Sequence, residues 1–387
     1  MPKPLPSRSV LSFRTALSLQ YFLYFGVMGV MLPYFTLYLY RLGLSGEQIG
    51  VVAGIRSLLA VAMPLCWGAL ADRSGNRRSI FIGLNIAATA CFSLFFHTES
   101  YGGLIAVMAL WGIFYTPIIS FMEAFSMEVL GKDRRRYGSV RVWGSLSFIT
   151  CVLSVGALLN TRPVSVILVL IFIGSAAQAA LSPLVPAQVA GGSRERPSFR
   201  ENGAYLLRGR IPVFLLCAFL MLASHGAYYG FFSIRMENLG FGGRTIGLCW
   251  AVASIAEISV MLLSGRIFSR FSPEKILQMS LLVAVVRWTA QAFASTLTEI
   301  ILVQILHAAT YGAFHVASIL FIEQNFPEKG RTLGQAANNA ATYGLGLAAG
   351  VFLSGVLFDS YGAAASFLFC GALAGTAALV FYLIVRR

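Results

Sequence analysis

The segment LGLSGEQIGVVAGIRSLLAVAMPLCWGALADR, residues 42–73, returns without a gap as LGFGGRTIGLCWAVASIAEISVMLLSGRIFSR, residues 239–270. At one constant offset Gly43 answers to Gly240, Gly46 to Gly243, Ile49 to Ile246, Gly50 to Gly247, Ser57 to Ser254, Gly68 to Gly265 and Arg73 to Arg270. Upstream, Gly29 answers to Gly226 at the same offset. Each copy opens on a short polar turn and runs into an apolar stretch. Duplication of half a membrane chain predicts two helical bundles related by pseudo-symmetry, with a binding site at the repeat interface.

The composition around the repeat agrees with that class. The chain has 387 residues, 57% of them hydrophobic and 11% charged, whereas soluble domains carry about 25% charge. The apolar residues gather in about twelve stretches of roughly 20, each long enough to cross a ~30 Å hydrocarbon core as a helix. Barrel strands would alternate strictly over ~10 residues, and the sequence has no such period. The expectation is an all-α membrane protein of twelve transmembrane helices in two six-helix bundles. Residues 1–184 form the first bundle, 185–211 a linker and 212–387 the second. The first span is too long, and lacks the small-residue pattern, for a cleaved signal peptide. The six cysteines all fall inside apolar spans without paired spacing, so neither a disulfide frame nor a metal site is expected.

A net charge of +14 invites a nucleic-acid reading, which its distribution rejects. Basic residues crowd alternate loops: Lys3, Arg8 and Arg14; Arg73, Arg77 and Arg78; Lys132 and Arg134–Arg136; Arg194 to Arg210; Arg266, Arg270 and Lys275; Lys329 and Arg331; Arg386 and Arg387. The loops between hold only Arg41, Arg162, Arg235 and Arg244. The bias places both termini in the cytoplasm and demands an even number of spans; the positive charge also meets anionic lipid headgroups. The long hydrophilic stretch Val185–Ile211 reads as a mobile cytoplasmic linker, with Arg200–Arg210 either a short surface helix or part of a basic tether. No P-loop, Gly-x-Ser-x-Gly, His-Glu-x-x-His or Cys-x-x-Cys is present, and the loops are too short for a catalytic domain. Neither an enzyme nor a cofactor is expected.

Five charges lie inside spans: Arg56, Glu123, Arg141, Glu257 and Arg287. Each costs roughly 2.5–3.5 kcal/mol at a helix centre on insertion scales, so each should face a partner or a wet cavity. Three arginines against two glutamates leave one guanidinium over, which suits an anionic substrate such as a carboxylate held by a bidentate fork. Buried salt bridges that only lock helices are the competing explanation. His225, His307 and His315 also sit in spans, and the last two, eight residues apart, fall on similar faces of one helix. They are candidates for proton handling or substrate contact. Tyr21, Tyr24, Tyr34, Tyr228 and Tyr229 are candidates for an aromatic lining, or for ordinary packing.

The loop after the second span reads Gly68-Ala-Leu-Ala-Asp72-Arg73-Ser-Gly75-Asn-Arg77-Arg78. This resembles, at every diagnostic position, the signature of the major facilitator superfamily, where the loop acts as a cytoplasmic gate latch. Gly68 would permit close helix approach, Asp72 would sit near an arginine or a helix N-terminus, and Gly75 would supply the turn. The second copy keeps Gly265 and Arg270 but has Ser269 in place of the aspartate.

Further stretches are similar to particular branches of that superfamily. Glu123-Ala-Phe and Tyr137-Gly-Ser-Val-Arg141-Val-Trp143-Gly144 resemble the sugar- and nucleoside-proton symporters. There a helix-four carboxylate and a helix-five arginine take part in substrate recognition, and an arginine and a histidine matching Arg287 and His307 take part in proton coupling. The sugar permeases carry a glutamate one turn after that histidine, where this chain has Thr310. Ser224-His225-Gly-Ala-Tyr228-Tyr229-Gly-Phe231, Glu257 and Leu306-His307-Ala-Ala-Thr310-Tyr-Gly-Ala-Phe-His315 resemble the phenylpropionate permeases.

These readings together predict a proton-coupled importer of a small organic anion in a bacterial inner membrane, working as a monomer by alternating access. Arg56, Glu123, Arg141, His225, Tyr228 and Arg287 would bind substrate; Glu257, His307 and His315 would carry protons. Its partners would be the substrate, protons and membrane lipid, with no nucleic acid and no metal. The rival readings are a sugar or nucleoside symporter and a drug or metabolite antiporter. The latter often carries a Gly-Pro-rich fifth span, and Gly138–Leu159 contains no proline. A receptor or scramblase-like protein should show added domains or a groove without buried charge, and the sequence shows neither.

Overall fold

The computed structural model describes residues 7–131, 136–185 and 203–384, all of them helix, turn or connecting loop. Most of the linker and both chain ends therefore lie outside the described residues, as do Lys132, Arg134 and Arg135. The first half of the chain forms α1 (Ser7–Arg41), α2 (Gly46–Ser74), α3 (Arg77–His97), α4 (Tyr101–Leu130), α5 (Tyr137–Leu158) and α6 (Val166–Leu184). The second forms α7 (Ile211–Asn238), α8 (Gly243–Phe268), α9 (Pro273–Phe293) and α10 (Leu297–Asn325). A final run, Arg331–Ile384, extends for 54 residues. Gly362 (φ 81°, ψ 177°) breaks it into α11 (331–361) and α12 (363–384). That backbone is closed to residues with a side chain. Among the described residues, the 11 helical runs long and apolar enough to span a bilayer thus supply twelve crossings.

Within the linker, the described residues form only a tight helical turn at Gly203–Leu207. Gly209 (φ 57°) then interrupts the chain before α7 begins. Of the two alternatives for Arg200–Arg210, a surface helix or a basic tether, the described part shows only that short turn.

The chain packs as two compact units: the described residues of Met1–Leu42 with Leu59–Arg194, and Gly43–Leu58 with those of Glu195–Arg387. The sequence halves are therefore not coextensive with the packed units, because the first half of α2 clusters with the second unit. There Gly46 lies so close to Gly355 of α11 that a Cβ on either would strike the other's backbone or the Asp359 side chain.

In the first unit α1 is tied to α5 by the Tyr34 hydroxyl, which donates to the Val152 carbonyl at 2.6 Å. Gln20 ties it to α6, donating to the Gln178 carbonyl at 3.2 Å. Trp111, Tyr115, Phe92, Phe95 and Phe35 fill the interior between α1, α3 and α4. α4 breaks at Thr116–Pro117, where proline withholds an N–H and the Thr116 hydroxyl donates to the Gly112 carbonyl at 2.8 Å.

The second unit is built on α7 crossing α11 backbone to backbone at Gly226 and Gly350, where a Cβ on either would overlap the other helix. Close approach through small residues is how membrane helices gain packing contacts that lipid cannot supply. α7 is interrupted at Ser224–His225, and α10 and α11 each contain a wide π turn, at Ala308–Ala313 and Ala340–Gly346. Both wide turns begin with the pentapeptide Ala-Ala-Thr-Tyr-Gly, residues 308–312 and 340–344.

Candidate functional site

The three interruptions of the second unit surround one buried polar cluster. Arg287 of α9 is wholly buried. Its Nη1 lies 2.9 Å from His307 Nδ1 and 2.8 Å from Thr310 Oγ1, both on α10. The guanidinium carbon sits 4.7 Å from the centre of the Tyr228 ring and 4.2 Å from that of Trp288. Arginine has no acceptor and stays charged, so His307 Nδ1 must accept. The neutral ring then carries its proton on Nε2, which faces Glu257 Oε2 of α8 at 3.7 Å. That separation exceeds a hydrogen bond but brings the carboxylate within reach of the ring. The order Arg287–His307–Glu257 is thus a polar relay across α9, α10 and α8.

The rest of the cluster fixes those three groups. The Trp288 indole donates to Ser224 at 3.1 Å and the Trp250 indole to Ser233 at 3.0 Å. The π turn of α10 stacks Tyr311 on His307 with ring centres 5.0 Å apart, and that of α11 brings Tyr343 within 6.0 Å of Tyr311. The Tyr343 hydroxyl is 2.9 Å from His315 Nδ1. The two histidines of α10 therefore do not share one set of partners. Across the wide turn between them, His315 meets Tyr343 while His307 keeps Arg287. π turns of this kind recur at functional sites.

Buried polar atoms without a partner single out one edge of the cluster. They are Arg287 Nε and Nη2, the Tyr228 hydroxyl and His225 Nε2, each closed to solvent. His225 Nδ1 is occupied, 2.8 Å from the Met221 carbonyl. Nε and Nη2 form the side of a guanidinium that receives a carboxylate through two parallel hydrogen bonds. His225 Nε2 is an acceptor, since Nδ1 must donate to the carbonyl. Arg287 Nε and Nη2, by contrast, are unmet buried donors, which cost free energy, so the guanidinium edge is shaped for an acceptor.

The first unit carries the other charges. Arg141 of α5 lies over the Phe25 ring at 3.7 Å and the Tyr21 ring at 5.6 Å. The Tyr21 hydroxyl is 3.3 Å from Ser126 Oγ and 3.5 Å from the Tyr137 hydroxyl. Glu123, one turn before Ser126 on α4, is exposed, and Arg56 on α2 is half-buried in the second unit. Of the five tyrosines weighed as lining or packing, Tyr34 packs, with its hydroxyl bonded to Val152. Tyr24 stacks on Tyr115 at 5.1 Å. The six residues read as substrate contacts are thus divided, with Glu123 and Arg141 in one unit and Arg56, His225, Tyr228 and Arg287 in the other.

In the signature loop Arg77 reaches Asp72 and Glu128 of α4, each at 2.7 Å, and Arg78 donates to the Pro183 carbonyl at 2.5 Å. Gly75 (φ 66°) makes the turn, and Arg73 is exposed. Gly68 has open space where a Cβ would stand, which corrects the expectation of close helix approach there. Glu128 lies outside the motif, and only the fold brings it to Arg77. Thr310, Tyr311 and Tyr343 were legible in principle, through the repeated pentapeptide.

Twelve spans, an internal duplication, a gate-loop signature and buried charge define a secondary transporter of the major facilitator type. The chain belongs to the MFS_1 like family, whose model matches residues 14–369. It is 29% identical over 352 residues to the "Probable 3-phenylpropionic acid transporter" of Escherichia coli (strain K12), covering 89% of this chain and 91% of that one. It is 24% identical over 378 residues to the "Maltose permease" of Geobacillus stearothermophilus, covering 97% and 95% of the two chains. The crystal structure of the nucleoside transporter NupG superposes with a TM-score of 0.87 at 18% identity, over 97% of this chain and 99% of that one. At that identity the match concerns the fold alone. The protein is a multi-pass membrane transporter of small molecules and not an enzyme.

Proposed function

We propose that the protein imports a small organic anion together with at least one proton, and that the anion's carboxylate binds the free edge of Arg287. The observation that carries this reading is the wholly buried guanidinium with Nε and Nη2 unpartnered beside the Tyr228 hydroxyl. The similarity to a 3-phenylpropionic acid transporter supports a carboxylate substrate, and the aromatic walls Tyr228, Trp288 and Tyr229 would accept an aryl ring.

The relay supplies the coupling. While Glu257 is ionised, its charge balances Arg287 through His307 and competes with an anionic ligand. A proton delivered to Glu257 cancels that charge and leaves Arg287 in surplus, while His307 keeps its proton on Nε2 facing the carboxyl group. The substrate carboxylate then restores neutrality, so anion and proton favour each other's binding. Moving a bare anion inward against the membrane potential costs ~2.3 kcal/mol per 100 mV, and co-entry of one proton cancels that cost. Arg141 above Phe25 offers a second positive group in the first unit, within electrostatic range of Glu123 on α4. Placement in a bacterial inner membrane with both termini cytoplasmic, function as a monomer and alternating access of the two halves complete the proposal.

The maltose permease similarity favours a neutral-substrate reading, sugar or nucleoside, as the alternative. Against it stands Thr310, which holds Arg287 where the sugar permeases have a glutamate. Reconstitution in liposomes with the outside acidified, followed by uptake of radiolabelled phenylpropionate, other carboxylates, sugars and nucleosides, separates the two. Accumulation of a carboxylate that collapses with a protonophore is the expected result. Uptake of a neutral sugar alone, or export alone, rejects it.

A further inference from the structure

A concavity lies away from the charged cluster, on the flank shared by α9 and α12 beside the start of α7. It has a volume of about 860 Å³. One end carries Arg210 and Lys275 together with Ser272 and Glu274, and the remainder is walled by Met279, Leu282, Leu379 and Tyr382. Those four wall residues are exposed. In a membrane chain this makes an apolar trough opening on acyl chains, with a polar end at the level of the basic loops.

Several features keep the trough open and its end positive. The floor is lined by Gly375 of α12, where a Cβ would meet nothing nearer than Val285 Cγ2 at 3.7 Å. Gln278 bridges the two helices by donating to the Ala378 carbonyl at 3.2 Å, which sets their spacing. At the polar end Ser272 accepts from the Lys275 amide at 3.3 Å and starts α9. The helix therefore directs the positive end of its dipole to the same place. Lys275 lies over the Phe271 ring at 5.0 Å, and Arg210 is exposed. Glu274 offsets one of the two side-chain cations, and the balance remains positive.

We infer that this trough is a binding site for one anionic phospholipid. The phosphate sits at Arg210 and Lys275, and an acyl chain lies along Met279, Leu282 and Leu379. A positive end joined to an apolar groove between membrane helices matches the two parts of such a lipid. The inference is independent of the transported substrate, because every residue in it lies outside the Arg287 cluster.

Native mass spectrometry of the protein released from mixed phosphatidylglycerol and phosphatidylethanolamine nanodiscs provides the test. One phosphatidylglycerol should be retained per monomer in preference to phosphatidylethanolamine. Arg210→Gln with Lys275→Gln should weaken retention about 25-fold, taking about fivefold for each charge at a membrane surface. Gly375→Leu, which fills the trough without touching the charges, should also displace the lipid while the melting temperature in detergent is unchanged or raised. A large excess of inorganic phosphate should not compete. Equal retention of the two lipids, retention indifferent to both variants, displacement by phosphate alone, or a dimer mass without lipid would each overturn the assignment.

Discussion

Arg77 is held between two carboxylates from different elements, Asp72 at the end of α2 and Glu128 on α4, each 2.7 Å from one of its terminal nitrogens. The pairs are unequal. The Glu128 side chain is 19% exposed and that of Asp72 44%, so the partner outside the signature motif is the less screened by water. Exposed pairs contribute 0–1 kcal/mol. Asp72→Asn should therefore change the unfolding midpoint in detergent little, and Glu128→Gln should lower it more. Arg77→Ala, which strands both carboxylates, should have the largest effect and should also reduce the transport rate several-fold. Equal melting curves for the three variants would contradict this order.

The relay makes a separate prediction. Lysine at 287 would present a compact ammonium in place of a planar fork, unable to hold His307 and Thr310 on one nitrogen while offering two others. Arg287→Lys and Arg287→Ala should both abolish gradient-driven accumulation, with membrane insertion preserved. Glu257→Gln should abolish accumulation too, yet retain exchange of labelled for unlabelled substrate across the bilayer, since exchange needs no net proton movement. Normal accumulation in Arg287→Ala or in Glu257→Gln would reduce those residues to packing roles.

Asp359 of α11 caps α2 from outside its own chain segment. Its Oδ1 accepts from the Gly46 amide at 2.6 Å and its Oδ2 from the Glu47 amide at 2.9 Å. Loss of a cap costs ~0.5–2 kcal/mol. Asp359→Ala should lower stability by that amount and speed hydrogen exchange at residues 46 and 47. Asp359→Asn, which keeps one acceptor, should be milder. Unchanged exchange at those two amides in the alanine variant would disprove the cap.

Two glycines separate packing from tolerance. A Cβ at Gly350 would overlap the Ala223 backbone, whereas one at Gly68 meets open space. Overpacking typically costs 1–3 kcal/mol, more when the obstacle is main chain. Gly350→Ala should sharply reduce the yield of folded protein, and Gly68→Ala should express and melt as the parent does. A normal yield for Gly350→Ala would refute the crossing geometry of α7 and α11.

Hydropathy and charge made the spans and their number legible, because the bilayer imposes length and polarity on every helix. The duplication announced two related halves, though it gave no sign that Gly43–Leu58 packs with the second unit. That depends on the match of Gly46 with Gly355, residues far apart in the chain. The charges Glu257 and Arg287 and the histidines His225 and His307 stood out singly because each is costly in an apolar span. Their assembly into one cluster depended on helix rotation, which periodicity does not resolve through interrupted helices. Ser224–His225 and the two π turns are where regular spacing fails. Glu128 and Asp359 carried no motif at all, and contacts across elements revealed them.

The twin Ala-Ala-Thr-Tyr-Gly turns have a mechanical corollary. Each stores a spare residue in a helix that otherwise advances about 100° per residue. Were either loop of slack drawn out, everything beyond it would swivel by roughly that angle, and the phenol rings of Tyr311 and Tyr343 would slide off one another like teeth leaving a cog. His315 would lose its hydroxyl contact in the same stroke, while His307, ahead of the slack in α10, would keep its contact with Arg287 of α9.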